Sequence, residues 1–384
     1  MPNNILITGY PYVRDNYLKT FDFYPEKQRI SFLLPRKWKV KKGKVLYYPP
    51  KKESLYTTRT FFHHSDYYLI GGLFKGFMPS FPFKLLQIKK DRNINLVYNC
   101  NEPTLLTTLY NAFWIKMLGL KNIVFSWENI PYDNKFKGAK GIIHRTILMI
   151  NLALADGVVC GNKKCLDIFS RLTDKPLAEV PLSGLDDNFF RPLANKNRSN
   201  EIAFAFIGAI SYRKGIHLIL EAFSGMLKSF SGAKLVIAGS GELDKLIDEK
   251  IKQLNLGAKI KRLPWISHED LLKILQSSDI FLYPSLEHNG WQEQFGYSMA
   301  EASLCELPVI ATDSGSIGEV VVNDKTGILV RENDVDVLEK AMLKLAQNKE
   351  LRETMGKAGR EYISNNYSYK IIADKFFNFF NSIY

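Results

Sequence analysis

From residue 200 onward, short apolar runs alternate with stretches of helical periodicity. Ile202–Ile207, Leu235–Ala238, Ile260–Leu263, Ile280–Tyr283 and Val309–Thr312 read as strands. Apolar positions recur at helical spacing over Ile216–Leu227, Leu243–Leu254, Asp270–Leu275 and Gln292–Cys305 between them. Short strands that are mostly apolar, Lys261-Arg262 excepted, and joined through helices predict a parallel sheet. The first half repeats the pattern less regularly. Asn4–Thr8, Ile30–Leu34, Asn95–Tyr98, Ile123–Ser126 and Gly157–Cys160 read as strands, and Leu105–Leu118 and Ile142–Leu154 as helices. The polar, proline-marked stretch Arg191–Asn200 is the expected boundary. The expectation is two doubly wound α/β domains, 1–192 and 200–365, with ligands at the C-terminal ends of the strands. The tail 366–384 carries Ile371, Ile372, Phe376, Phe377, Phe379, Phe380 and Ile383 at helical spacing. This amphipathic helix either packs on a domain or touches a membrane.

Composition narrows the class. The chain has 384 residues, 46% hydrophobic and 24% charged, a globular mix with room for two or three domains. Its net charge of +13 is unevenly spread. Residues 1–192 hold 29 Lys and Arg against 15 Asp and Glu, and residues 193–384 hold 23 against 24. The two halves are therefore expected to meet different partners. Four cysteines (Cys100, Cys160, Cys165, Cys305) form no CxxC and no metal-ligand spacing. That fits small core thiols in a reducing cytoplasm. The N-terminus lacks the pattern of a secretory leader, and the most apolar stretch, Tyr67–Phe74, is too short to span a bilayer. The expected location is cytoplasmic.

Three segments carry candidate chemistry. After Ile202–Ile207 comes Gly208-Ala-Ile-Ser-Tyr-Arg213-Lys214-Gly215, a glycine turn running into a helix with two cations. A helix start offers free N–H groups and a positive dipole end, which suits a diphosphate. It is neither a Walker A loop nor a dinucleotide Gly-x-Gly-x-x-Gly, and alone it reads equally as a solvated helix start. Gly239-Ser240-Gly241-Glu242 repeats the logic after Leu235–Ala238, with a plain structural turn as its alternative. Glu293-Gln-Phe295-Gly296-Tyr297-Ser-Met-Ala-Glu301 sets two carboxylates around a helix start near Gly296. Each carboxylate accepts two hydrogen bonds and so matches a vicinal diol, while the N–H groups of Phe295, Gly296 and Tyr297 match an anion. A solvated helix face explains an isolated Glu pair as well.

The order of these features resembles the donor-binding domain of family 4 glycosyltransferases. Phe206-Ile-Gly208 with Arg213-Lys214-Gly215, Ile237-Ala-Gly239-Ser-Gly241-Glu242 and Ile280-Phe-Leu-Tyr-Pro284-Ser285 are similar to its successive strand ends. Glu293 and Glu301 resemble its Glu-x7-Glu element, followed by Leu307-Pro308-Val309, Ser314-Gly315, Thr326-Gly327 and Gly359-Arg360. In the first half, Glu102-Pro103, Glu128-Asn129 and Pro181-Leu-Ser-Gly184 are similar to a subset of the family. The sequence departs from it at Ala209, where many members carry Arg, and at Leu304-Cys305-Glu306 in place of Ala-Cys-Gly. His63 and His64 match no family histidine.

The resemblance implies the GT-B fold, two Rossmann-like domains facing across a cleft, with the C-terminal helix returning to the N-terminal domain. It implies transfer of a sugar from a UDP- or GDP-linked donor to a glycan or lipid-linked acceptor, with retention at the anomeric carbon and no metal or other cofactor. Catalytic roles would fall to Glu293, Lys214 and Arg213. Donor contacts would fall to Gly208, Gly239, Gly241, Phe295, Gly296, Tyr297 and Glu301, and acceptor contacts to Glu102, Glu128 and Asn129. A non-catalytic sugar or nucleotide binder is the rival reading. The basic stretch 36–52, Arg36-Lys-Trp38-Lys-Val-Lys-Lys-Gly-Lys44 with Tyr47, Tyr48, Lys51 and Lys52, is read as a contact for an anionic membrane at its inner face, or as a solvated loop. No nucleic-acid motif accompanies the charge.

Overall fold

The apolar runs pair side by side as parallel strands. The computed structural model describes residues 3–40, 45–63, 72–194 and 201–383. The chain divides into two compact units: 1–184 with 369–384, and 185–368. Arg191, which opens the expected boundary, thus lies inside the second unit, and 195–200 fall outside the described residues.

The first unit is built on β1 (Ile5–Thr8), β2 (Ile30–Pro35), β5 (Leu55–Thr58), β6 (Leu96–Asn99), β7 (Lys121–Ser126), β8 (Gly157–Cys160) and β9 (Leu177–Glu179), in the order β5-β2-β1-β6-β7-β8-β9. All pairings in this sheet are parallel. A separate antiparallel hairpin joins β3 (Trp38–Val40) and β4 (Val45–Tyr47). Helices Phe81–Arg92, Leu106–Met117, Gly138–Leu154 and Lys163–Phe169 carry residues that pack with Leu6, Leu33, Val97 and Val124 of the strands. The alternate positions, Phe32, Tyr98 and Phe125, belong to a second aromatic cluster. There Phe376 meets Phe21 at 5.2 Å and Tyr98 at 5.6 Å between ring centres. The tail forms the helix Tyr369–Ser382 within this unit, with Ile372, Phe376 and Phe380 fully buried, so its apolar face is spent on packing.

The second unit orders β10 (Ile202–Ile207), β11 (Ala233–Ala238), β12 (Ile260–Leu263), β13 (Ile280–Tyr283), β14 (Val309–Thr312) and β15 (Gly327–Val330) as β12-β11-β10-β13-β14-β15, all parallel. This is the doubly wound order, and its direction of winding reverses between β10 and β13. Ligands of such sheets bind beyond the strand ends at that reversal. The residues following β10 and β13 are therefore the ones to inspect.

Two expectations need correction. The helix read over Gln292–Cys305 runs only Tyr297–Leu304, because Gly296 sits at φ 86° and breaks the helical path before it. In the basic stretch, residues 38–40 and 45–47 form the hairpin, and 41–44 lie outside the described residues. Trp38 is buried and stacks on Tyr10 at 4.6 Å, which removes it from any surface. His63 packs edge-on to Trp38, and His64 lies outside the described residues.

Candidate functional site

The turn leaving β10 is held open by a close approach. Gly215 has φ 64°, and a Cβ there would stand 2.0 Å from the Pro284 carbonyl oxygen. Only glycine lets the Arg213-Lys214 turn lie against the end of β13. That contact brings Lys214 to Glu293. The Lys214 ammonium pairs with Glu293 Oε2 and donates to the Tyr283 hydroxyl at 2.7 Å. Tyr283 in turn donates to Glu293 Oε2 at 2.6 Å. The side chains of Lys214 and Glu293 are only 12% and 9% exposed, so the pair is shielded from water.

Burial pushes the Glu293 carboxyl up. The Lys214 charge and hydrogen bond, with Tyr283, outweigh burial and hold Glu293 below the usual carboxylate range. Burial likewise draws Lys214 below the ordinary lysine value, against the pull of Glu293. Tyr283 is raised well above the ordinary phenol value by burial and by Glu293, so it stays a donor. The backbone of Glu293 is fixed as well. Ser316 N–H donates to its carbonyl at 2.8 Å, and Gly315 (φ 54°) packs so closely that a Cβ would meet that oxygen at 2.2 Å.

Arg213 does not join this pair. Its guanidinium lies 4.0 Å from the ring centre of Trp291, which also approaches Lys214 Nζ at 5.2 Å. Trp291 ends a tight turn, His288-Asn289-Gly290-Trp291, with Asn289 at φ 49° and Gly290 at φ 69°. Sequence reasoning missed Trp291. The Asn-Gly pair, a strong signal for this turn, would have marked it. A tryptophan face attracts cations, so Trp291 holds the Arg213 guanidinium beside the Lys214 turn.

Glu301 lies in the second turn of the helix Tyr297–Leu304 and is 8% exposed. Its carboxyl has no hydrogen-bond or ion-pair partner among the described residues, and burial pushes it up to about 8. Gly296 caps this helix without a side chain that could fill its first-turn N–H groups. Phe295 is buried between Tyr297 and Tyr367, at 4.7 and 5.1 Å. Of the three remaining glycines, Gly239 and Gly241 serve loop packing. A Cβ at Gly239 would meet Gly208 O at 1.9 Å, and one at Gly241 would meet Ile210 O at 2.1 Å. The turns after β10 and β11 are thus locked backbone to backbone, while a Cβ at Gly208 would meet only the Phe206 ring, at 3.6 Å.

In the first unit, Glu102 accepts from Ser126 Oγ at 2.8 Å and from Trp127 N–H at 2.9 Å, bracing the end of β7. Burial, then the nearby Glu128 charge, raises it to about 7. Glu128 pairs with Lys135 and accepts from Ile130 N–H at 3.2 Å. Asn129 is buried beside it. Among the described residues no group of three His, Cys, Asp or Glu side chains is placed to share a metal ion. All four cysteines are buried and unbridged.

Residues 189–362, which contain the whole Lys214–Tyr283–Glu293 cluster and Glu301, match the family described as glycosyl transferases group 1. Residues 189–362 therefore resemble a group 1 glycosyltransferase domain. The chain is 28% identical over 199 residues to the capsular polysaccharide biosynthesis glycosyltransferase CapM of Staphylococcus aureus, covering 52% of this chain and 50% of CapM. It is 29% identical over 219 residues to a GDP-mannose-dependent monoacylated alpha-(1-6)-phosphatidylinositol monomannoside mannosyltransferase of Corynebacterium glutamicum, covering 54% and 57%. The chain therefore spans about half the length of the curated relatives it matches. Beyond the matched residues the fold itself is shared. Anabaena HepE, solved in complex with UDP and glucose, superposes with TM-score 0.69 at 15% identity over 97% of each chain. The architecture is that of the GT-B glycosyltransferases, two Rossmann-like domains with parallel sheets.

Proposed function

We propose that the chain transfers a glycosyl group from a nucleotide-sugar to a glycan or lipid-linked acceptor, with retention at the anomeric carbon. The observation that carries the reading is the buried Lys214–Tyr283–Glu293 cluster at the reversal of a doubly wound sheet, inside the group 1 domain. A departing nucleoside diphosphate gains negative charge, and Lys214 with Arg213 and the backbone after β10 would stabilise it. This account requires no metal. Glu293, anionic and already anchored, would hold donor-sugar hydroxyls near the reacting carbon. Glu301 would accept from the ribose diol, which supplies the hydrogen-bond donors its buried carboxyl otherwise lacks. We assign no covalent nucleophile, because Glu293 Oε2 is already engaged by Lys214 and Tyr283. The proton of the acceptor hydroxyl would pass to the leaving phosphate as the new C–O bond forms and the old one breaks on the same face.

The names of the relatives support a surface polysaccharide or a phosphatidylinositol-type acceptor, and both UDP- and GDP-linked donors. The experiment is incubation of the purified chain with UDP- and GDP-sugars, following nucleoside diphosphate release and the anomeric configuration of the product by proton NMR, with and without EDTA. The reading expects retained configuration and undiminished turnover in EDTA. Inversion would overturn retention, and strict dependence on added metal would overturn the metal-free account. Binding without release from any donor would favour the rival non-catalytic reading.

A further inference from the structure

Three neighbouring helices of the first unit present apolar side chains to solvent, directly opposite the stripes they bury. Phe81–Arg92 buries Phe81, Leu85 and Ile88 and exposes Phe83 at 77%. Leu106–Met117 buries Thr108, Ala112 and Ile115 and exposes Phe113 at 50% and Met117 at 64%. Gly138–Leu154 buries His144, Leu148 and Asn151 and exposes Ile142 at 70%, with Met149 and Ile150 also exposed. The first of these helices packs on the second and the second on the third, so the exposed groups lie on the outer surface of one layer. An amphipathic helix of a soluble domain turns polar residues outward; one that is apolar on both faces is covered by something.

We propose that this outer surface docks on an anionic lipid bilayer, with Phe83, Phe113, Met117, Ile142 and Met149 entering the headgroup–acyl boundary. Charge decides between a bilayer and a second copy of the chain. The three helices carry seven Lys and Arg (Lys84, Lys89, Lys90, Arg92, Lys116, Lys140, Arg145) and one acidic residue, Asp91; Lys116 and Arg145 pair with Asp156 and Asp133, which leaves a cationic surplus centred on Lys84, Lys89, Lys90 and Arg92. A two-fold dimer through this surface would set the cationic patch against itself. Anionic headgroups neutralise it while the apolar groups are buried, the pattern of helices that lie in a membrane interface. The docking surface thus lies on these helices rather than on the hairpin of the basic stretch, where Trp38 is packed inward.

The test is co-sedimentation of the full chain with sucrose-loaded vesicles of phosphatidylcholine alone or with one-third phosphatidylglycerol, at physiological ionic strength. The wild type should partition at least tenfold better onto the anionic vesicles. The exposed substitutions Ile142→Glu with Met149→Glu, and separately Phe113→Ser with Met117→Ser, should each lower that partition at least tenfold while leaving the melting temperature within a few degrees. Equal partition onto both vesicle types, or anionic binding unchanged in both double variants, would overturn the proposal. So would a concentration-dependent dimer in sedimentation velocity that Ile142→Glu with Met149→Glu dissociates. Binding is read without turnover, so failure here would leave the glycosyl-transfer reading intact.

Discussion

Glu293 and Lys214 cannot be treated as two independent groups. Each is buried, and each is the other's counter-charge. Removing one leaves an uncompensated charge, a loss of about 3–5 kcal/mol of stability. Glu293→Gln and Lys214→Met should each lower the denaturation midpoint strongly, whereas the double variant should regain most of the loss and still fail to turn over. Chemical denaturation of all four proteins closes the cycle; additive losses would contradict the pairing. Glu301 makes a separate, pH-dependent claim. Its native carboxyl, raised to about 8, favours the protonated form that an unfolded chain gives up at ordinary carboxylate pH. The folded state therefore binds the extra proton, and its contribution to stability, full at low pH, is lost as pH rises through about 8. Glu301→Gln mimics the protonated form without the titration. Its melting temperature should match the wild type near pH 5 and exceed it by several degrees at pH 8.5, and a constant gap across that range would refute the raised value.

At the scale of elements, the site depends on two turns that touch only because particular residues lack side chains. Gly215→Ala forces a Cβ into the Pro284 carbonyl at a positive φ, a strain of about 1–3 kcal/mol that swings Lys214 off Glu293. Nucleotide-sugar affinity should fall at least tenfold by calorimetry, while Gly257→Ala, whose Cβ meets nothing within 4 Å, should bind normally. Equal affinities for both variants would show that the turn does not position the site. The same elements show what was legible beforehand. Ile202–Ile207, Ile280–Tyr283 and Val309–Thr312 are readable because a parallel strand buried on both faces is apolar along its length, whereas Ile260–Leu263, an edge strand carrying Lys261 and Arg262, is readable only from its place in the alternation. β5 and β9, the two short edge strands of the first sheet, lack that constraint and passed unread. The carboxylates and Lys214 were found from their order along the chain. Their mutual ion pair was not, because it depends on how closely the β10 and β13 turns approach. Trp291 escaped because its role comes from a tight turn that the reading did not interpret.

For the whole molecule, the charge asymmetry acquires a location. The first unit includes the tail, whose helix Tyr369–Ser382 completes its aromatic core. The surplus cations of this unit gather in part on three helices that expose apolar side chains, and the second unit holds Arg213 and Lys214 in one turn, Lys214 paired with Glu293. The central claim is that this turn and carboxylate catalyse glycosyl transfer. The most direct measurement is the rate of nucleoside diphosphate release from the donor that best stabilises the protein thermally, compared between wild type and Glu293→Gln at a temperature where circular dichroism shows both folded. The account predicts measurable release by the wild type and a loss of at least a hundredfold in the variant, with the donor saturating in both. A variant that releases nucleoside diphosphate at the wild-type rate would contradict it.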